Sequence, residues 1–246
     1  MGLLLLVRHG QASFGADDYD VLSPTGWEQG RLLGASLAAA GALPTALVRG
    51  SMRRHRETLE ALVDGAGRGS GDTGTPEPPG TPGTPEAPGV TVDAGWDEFD
   101  HLGVVGAHPD LLGDDAWSDR RAFQTAFVEA TRRWTAGEPG ADGAAYPESW
   151  GEFLGRVRGA LTAAAAATGS GGTTLVVTSG GAIAAACAAL VDPEETDEAR
   201  LARAWSRFNT VCVNTGVTRV VVGSTGPRLL TFNEHPHVSG DTLTYR

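Results

Sequence analysis

Two kinds of segment alternate along the chain. Short, mainly apolar or β-branched runs of strand length occur at Leu3 to Val7, Ala46 to Val48, Val90 to Val92 and Thr173 to Val177. Between them the punctuation is helical. Ser23-Pro24 reads as an N-cap with proline at the first helical position, and predicts a helix to about Ala40, with Gly41 near its end. A second helix should open in the basic stretch Ser51 to Thr58 and end near Val63. Phe123, Phe127, Ala130 and Trp134 recur at helical spacing. Ser149 with Glu152 forms a capping box ahead of the stripe Trp150, Phe153, Val157 and Leu161. An alanine-rich helix is expected after Ser179-Gly180-Gly181. The chain closes with β runs at Val211 to Val213, Val217 to Val222 and Leu229 to Phe232, joined by Asn214-Thr215-Gly216 and Ser224-Thr225-Gly226-Pro227 turns. Strands alternating with helices predict a mostly parallel sheet covered on both faces.

Residues 65–89 break this pattern. They hold eight glycines and six prolines among 25 residues, with almost no apolar side chains. Such a stretch cannot bury enough surface to offset the entropy of ordering, so a disordered surface insert is expected within one domain spanning 1–246. The nearly charge-free segment Thr174 to Val191 is interrupted by Ser179-Gly180-Gly181 and is largely alanine. It reads as a buried strand, turn and helix, and no membrane contact is expected. The first apolar run is stopped by Arg8-His9 too early for a signal peptide. A formal net charge of −11 argues against nucleic acid as a partner, because a phosphate backbone would be repelled globally. It leaves room for a small anion held by a local cluster of arginines. Two cysteines, Cys187 and Cys212, are too few for a disulfide framework, so a reducing cytoplasm is expected.

Ligands of such sheets sit beyond the carboxyl ends of the strands. Arg8-His9-Gly10 and Ser179-Gly180-Gly181 both occupy that position. A histidine at a strand end can act as nucleophile, base or metal ligand, but an adjacent arginine opposes a metal and suits a phosphate beside the imidazole. Arg53, Arg54 and Arg56 fall at a helix start, where free N–H groups already favour anions, and their spacing keeps all three from pointing the same way, so one is expected to reach a pocket while the others are solvated. His235-Pro236-His237 lacks a third ligand at useful spacing, so no metal site is expected there.

Arg8-His9-Gly10-Gln11 after the first strand, Leu22-Ser23-Pro24-Thr25-Gly26-Trp27-Glu28-Gln29, and Ser51 to Thr58 together resemble the histidine phosphatase superfamily, also called phosphoglycerate-mutase-like. Asn233 to His237 resembles its Asn-x-x-x-His ending. The resemblance implies a three-layer α/β/α sandwich and a phosphoryl transfer that needs no metal or other cofactor. The partner would be a small phosphorylated substrate. It makes His9 the nucleophile, and Arg8 and Arg54 holders of the phosphate, with Gln11, Ser179 and Gly180 beside them. Glu98, in Trp96-Asp97-Glu98-Phe99-Asp100, is the expected proton donor to the leaving group, ahead of Asp97 and Asp100. One departure stands out. The family's Ser/Thr-His-Gly-Gly turn is Thr178-Ser179-Gly180-Gly181 here, so serine fills the slot of a phosphate-donating histidine. Three outcomes follow: His55 or His101 substitutes for the lost donor, the protein is a slow phosphatase, or it binds phosphorylated ligands with little turnover. Transfer to an isomer, as in a mutase, is the other enzymatic alternative to hydrolysis.

Overall fold

The computed structural model describes residues 1–13, 20–68, 89–112 and 120–245. Six strands form one sheet in the order β3-β2-β4-β1-β5-β6. These are β1 (Gly2–Arg8), β2 (Ala46–Arg49), β3 (Val90–Val92), β4 (Thr173–Thr178), β5 (Val217–Gly223) and β6 (Gly226–Glu234). The pairs β1–β4, β2–β4 and β2–β3 are parallel, whereas β5 and β6 close one edge antiparallel.

The alternation of side chains across β1 sorts the helices into two layers. Leu5 and Val7 face α1 (Pro24–Ala39) and α2 (Arg53–Arg68), meeting Leu33, Leu37, Leu59 and Leu62. Leu4 and Leu6 belong to the opposite core with α5 (Trp150–Ala167) and α6 (Gly180–Val191). Beyond these, α3 (His101–Gly106), α4 (Arg120–Thr135) and α7 (Glu198–Asn209) complete that layer. Four consecutive β1 side chains are at most 1 % exposed. Each contributes roughly 1.5–3 kcal/mol of burial, which fixes the strand end that carries Arg8 and His9. The expected three-layer α/β/α sandwich with a mostly parallel sheet is what the chain adopts. Among the described residues no helix is long and apolar enough to cross a membrane.

Local rules hold closely where caps are strong. Ser23 Oγ accepts the Gly26 N–H with Pro24 at the first helical turn, and Ser149 with Glu152 makes both bonds of the capping box. Two expectations need correction. Val211 to Val213 is not a strand. It follows α7, an amphipathic helix the apolar runs did not announce, and Asn233 takes up its backbone instead. Asn233 Oδ1 accepts the Val213 N–H at 2.8 Å, and its Nδ2 donates to Val211 O at 2.7 Å. Helix α2 continues past Val63 to Arg68, so residues 65–68 do not belong to an insert. Gly65 permits this by lying against the Arg31 backbone of α1, where a Cβ would overlap. Helix α3 was not foreseen either. Most of the glycine- and proline-rich segment, residues 69–88, lies outside the described residues.

Candidate active site

The carboxyl ends of β1 and β4 are adjacent, with Arg8 opposite Thr178. Past them the backbone of His9 is clamped on both sides. Its N–H donates to Thr178 O at 2.8 Å, and Asn214 Nδ2 donates to its carbonyl at 3.0 Å. The ring is oriented by its own neighbour, with Nδ1 2.7 Å from Gly10 O. A carbonyl can only accept, so Nδ1 carries the proton and the lone pair resides on Nε2. Burial pushes the His9 pKa well below the ordinary value, and the charges of Arg54 and Arg8 push the same way. Gly10 lies against Gly26 at the start of α1, with no room for a Cβ. Its N–H donates to Thr58 Oγ1 at 3.0 Å, so α2 holds the loop that presents His9.

Of the three arginines that open α2, one turns inward. Arg54 is 4 % exposed and its charge acts on both His9 and Glu98. Arg53 Nε pairs with the buried Glu57 at 2.7 Å and Arg56 Nε with Glu60 at 3.8 Å. Arg54 Nη1 is 2.9 Å from Asp20 Oδ1, and Asp20 Oδ2 accepts the Arg53 N–H at 2.8 Å. Arg8 Nη1 donates to Tyr245 O at 2.6 Å and to Cys212 O, while its Nε lies against Gly180. Glu57 adds a second tie to this framework by accepting the Leu22 N–H at 2.8 Å.

Ser179 is fully buried at the N-cap of α6, and its Oγ is 2.8 Å from His55 Nε2. The His55 ring, also fully buried, stands 5.8 Å from that of His9. Burial, with Arg54 and Arg49, lowers its pKa well below the ordinary value. Glu98 is partly buried and reaches the same helix end, its Oε2 accepting the Gly181 N–H at 2.9 Å. A Cβ on Gly181 would overlap Glu98 Oε1, which is why glycine is required there. Burial raises the Glu98 pKa against the opposing pull of the Gly181 hydrogen bond and of Arg54. The adjacent Phe99 anchors the segment by stacking on Trp134 at 4.7 Å and edge-on against Phe153 at 5.7 Å. Such aromatic pairs add about 0.5–1.5 kcal/mol each. The neighbouring carboxylates are committed to structure. Asp97 accepts from Ser51 N at 2.6 Å and from Ser51 Oγ, and Asp100 caps α3 through the Gly103 N–H at 2.9 Å.

His9, Arg8, Arg54, Glu98, Ser179 and Gly180 therefore lie together at the strand ends and bound the candidate cleft. Gln11 is turned toward the cap of α1, where its Oε1 accepts from Ser23 Oγ at 2.8 Å. His101 lies edge-on to Phe127 at the start of α3, at a ring separation of 6.3 Å. His237 Nε2 is 3.0 Å from Thr215 Oγ1 behind the β1 end, and His235 Nδ1 donates to Asn233 O at 2.6 Å. Among the described residues no group of three or more His, Cys, Asp or Glu is placed to hold a metal ion. Asp20, Thr58 and Asn214 were not anticipated. Each is a single polar residue in a loop or helix whose partner is distant in sequence, so no spacing could reveal it. Together the cleft offers an uncharged imidazole, two guanidinium groups, a helix N-terminus and a carboxyl of raised pKa. That set can hold an oxyanion, attack it, and hand over a proton.

The model of the histidine phosphatase superfamily (branch 1) matches residues 113–235. A phosphoserine phosphatase mutant from Entamoeba histolytica, solved with phosphoserine, aligns at a TM-score of 0.60 and 15% identity, over 97% of this chain and 100% of its own. A mycobacterial glucosyl-3-phosphoglycerate phosphatase aligns at a TM-score of 0.56 and 19% identity, over 95% and 99%. A protein described as mycobacterial hydrolase 1 aligns at a TM-score of 0.60 and 21% identity, over 95% and 99%. At these identities the likeness establishes the fold. No curated protein matches the chain by sequence.

Proposed function

The chain belongs to the histidine phosphatase superfamily, and we propose that it is a metal-independent phosphomonoesterase working through a phosphohistidine at His9. The observation that carries this reading is the Nδ1–Gly10 hydrogen bond, which leaves the Nε2 lone pair of a neutral ring as the attacking electron pair. Nε2 attacks phosphorus in line. The N–P bond forms as the ester P–O bond breaks, and Glu98, as the carboxylic acid, protonates the departing oxygen. Glu98, now a carboxylate, then takes a proton from the water that attacks phosphorus. The N–P bond breaks, His9 is restored and inorganic phosphate leaves.

Arg8 and Arg54 hold the non-bridging oxygens, with the main chain of Ser179 and Gly180 at the start of α6 completing the anion site. Gln11 is assigned to the same set through its amide nitrogen, since its oxygen is engaged by Ser23. The substrate is a small phosphorylated molecule. Residues 1–246 are read as one domain, in keeping with the near-complete coverage by solved relatives. The test is intact-mass detection of a phosphorylated protein after rapid quench with p-nitrophenyl phosphate. The adduct should appear in the native protein and be absent in His9→Ala. An adduct that persists in His9→Ala overturns the assignment.

A further inference from the structure

A serine at an N-cap ordinarily accepts a hydrogen bond from the second or third N–H of its helix. Ser179 sits at the N-cap of α6 in extended backbone (φ −110°, ψ 164°) and makes no such bond. Its Oγ is instead held at 2.8 Å by His55 Nε2. The second N–H of the helix, that of Gly181, goes to Glu98 Oε2. By its N-cap position Ser179 Oγ is the ordinary acceptor for this N–H, so it and Glu98 are alternative acceptors for one donor, and the serine has been given another partner. His55 is itself confined. Gly50 leaves space for the ring where a Cβ would overlap Nδ1, and Asp97 Oδ1 lies 3.7 Å from Nδ1. Asp97 is in turn tied to Ser51.

We propose that His55 is a positioning residue for Glu98: by engaging the Ser179 hydroxyl it keeps the cap side chain of α6 off the Gly181 N–H, which is left to orient the Glu98 carboxyl. The inference rests on the assignment of Glu98 as the acid, but its first readout needs no turnover. Several charged or titratable groups face Glu98. Arg8 faces it from β1, Arg54 from α2, and Cys212 from the loop after α7, while Arg156 of α5 bonds its backbone carbonyl. His55 is faced by Arg49 from β2, by Arg54, by His9 and by Asp97. All of these stay in place when only Ser179 is altered. A change in who holds the Gly181 N–H is therefore separable from a change in the surrounding charge.

The experiment is a ¹³C NMR titration of the Glu98 carboxyl, assigned with Glu98→Gln, in the native protein, His55→Phe, Ser179→Ala and the double variant. Phenylalanine keeps the ring volume and cannot bond. In His55→Phe the released Ser179 hydroxyl recaptures the Gly181 N–H, and the Glu98 midpoint rises by roughly 0.5–1 pH unit. Ser179→Ala leaves the midpoint where it was, and in the double variant it returns to the native value, because nothing is left to compete. The basic limb of kcat/KM on p-nitrophenyl phosphate moves with it. A midpoint unchanged in His55→Phe, or equally displaced in the single and double variants, overturns the proposal. Should His55→Phe fail to fold, Ser179→Ala and His55→Gln decide the matter. Both should titrate like the native protein, and a rise in either is contrary. A fully active His9→Ala alongside the expected titrations would instead reject the catalytic reading and leave the positioning intact.

Discussion

Two strand-to-helix turns meet at the cleft, and they divide their labour in opposite ways. After β1, the side chain of His9 faces the site while its backbone is structural support, clamped by Thr178 and Asn214. After β4, the backbone N–H of Gly181 reaches Glu98, while the side chain of Ser179 points inward to His55. The two turns follow parallel neighbours in register. Equivalent topology thus leaves open which half of a residue does the chemistry. The contrast predicts that the first turn is sensitive to losing a side chain and the second to gaining one.

The largest effect should follow His9→Ala, which removes the attacking nitrogen. Loss of a nucleophile costs on the order of 10⁴-fold or more in kcat. Ser179→Ala, by contrast, should cost less than about tenfold, because the hydroxyl is already committed to a buried partner. Steady-state kinetics on p-nitrophenyl phosphate compare the two directly. Equal losses would erase the distinction between the turns. Next in size is Gly181→Ala. The added methyl overlaps Glu98 Oε1, so the carboxyl must leave the helix end, and kcat should drop about 10²–10⁴-fold, the range for loss of a general acid. Stability should not fall in parallel, since alanine is favoured over glycine in a helix by about 1 kcal/mol. A variant that loses thermal stability but retains activity would show that Gly181 serves packing alone.

Asp20 offers a finer probe of the first turn. Its carboxylate rests on Arg54 Nη1 at 2.9 Å, where an incoming phosphoryl oxygen would compete. Arg54 is buried and Asp20 partly exposed, so solvent screens the pair from the Asp20 side only. Asp20→Asn should accordingly tighten inhibition by inorganic phosphate about 2–5-fold with kcat nearly unchanged. Weaker inhibition in this variant would mean that Asp20 orients Arg54 for the anion rather than competing with it.

These contrasts also explain what could be read from the chain beforehand. Strand ends, caps and the Arg8-His9-Gly10 motif are written in consecutive residues, so they were legible: Ser23 and Ser149 cap as expected, and β1 stops where the charges begin. That the three arginines of α2 cannot all turn inward followed from helix spacing. Contacts between side chains far apart in sequence were not legible. Asp20 meets Arg54 across 34 positions and His55 meets Ser179 across 124, and neither pair leaves a local periodicity. The serine in the histidine slot pointed to a missing donor. Only the meeting of the start of α2 with the N-cap of α6 beyond the end of β4 shows that an imidazole stands directly behind it. Helix α7 escaped notice for a related reason. Just Leu201 and Trp205 of its twelve residues are buried, too sparse a stripe to stand out among charged neighbours.

The last expected effect concerns acid stability rather than turnover and weighs the two turns by their imidazoles. His9 and His237 back the first turn, His237 through Thr215, whose N–H donates to Arg8 O at 3.0 Å. His55 backs the second. In all three, burial is the leading cause of a lowered pKa, and for His237 the value falls to about 4 from the ordinary 6.5. The native state then binds fewer protons than the unfolded chain, so stability rises with pH through this window. The contribution of His237 is fully present above 6.5 and is lost as pH falls toward about 4. Each group adds a slope of at most roughly 1.4 kcal/mol per pH unit. Replacing His237 by glutamine, which keeps a nitrogen for Thr215 but cannot titrate, should flatten the decline in urea-unfolding free energy between pH 6.5 and 5 by about that single-group slope, leaving the share of His9 and His55. An unaltered decline would place the His237 ring in contact with water and remove it from the support of the first turn.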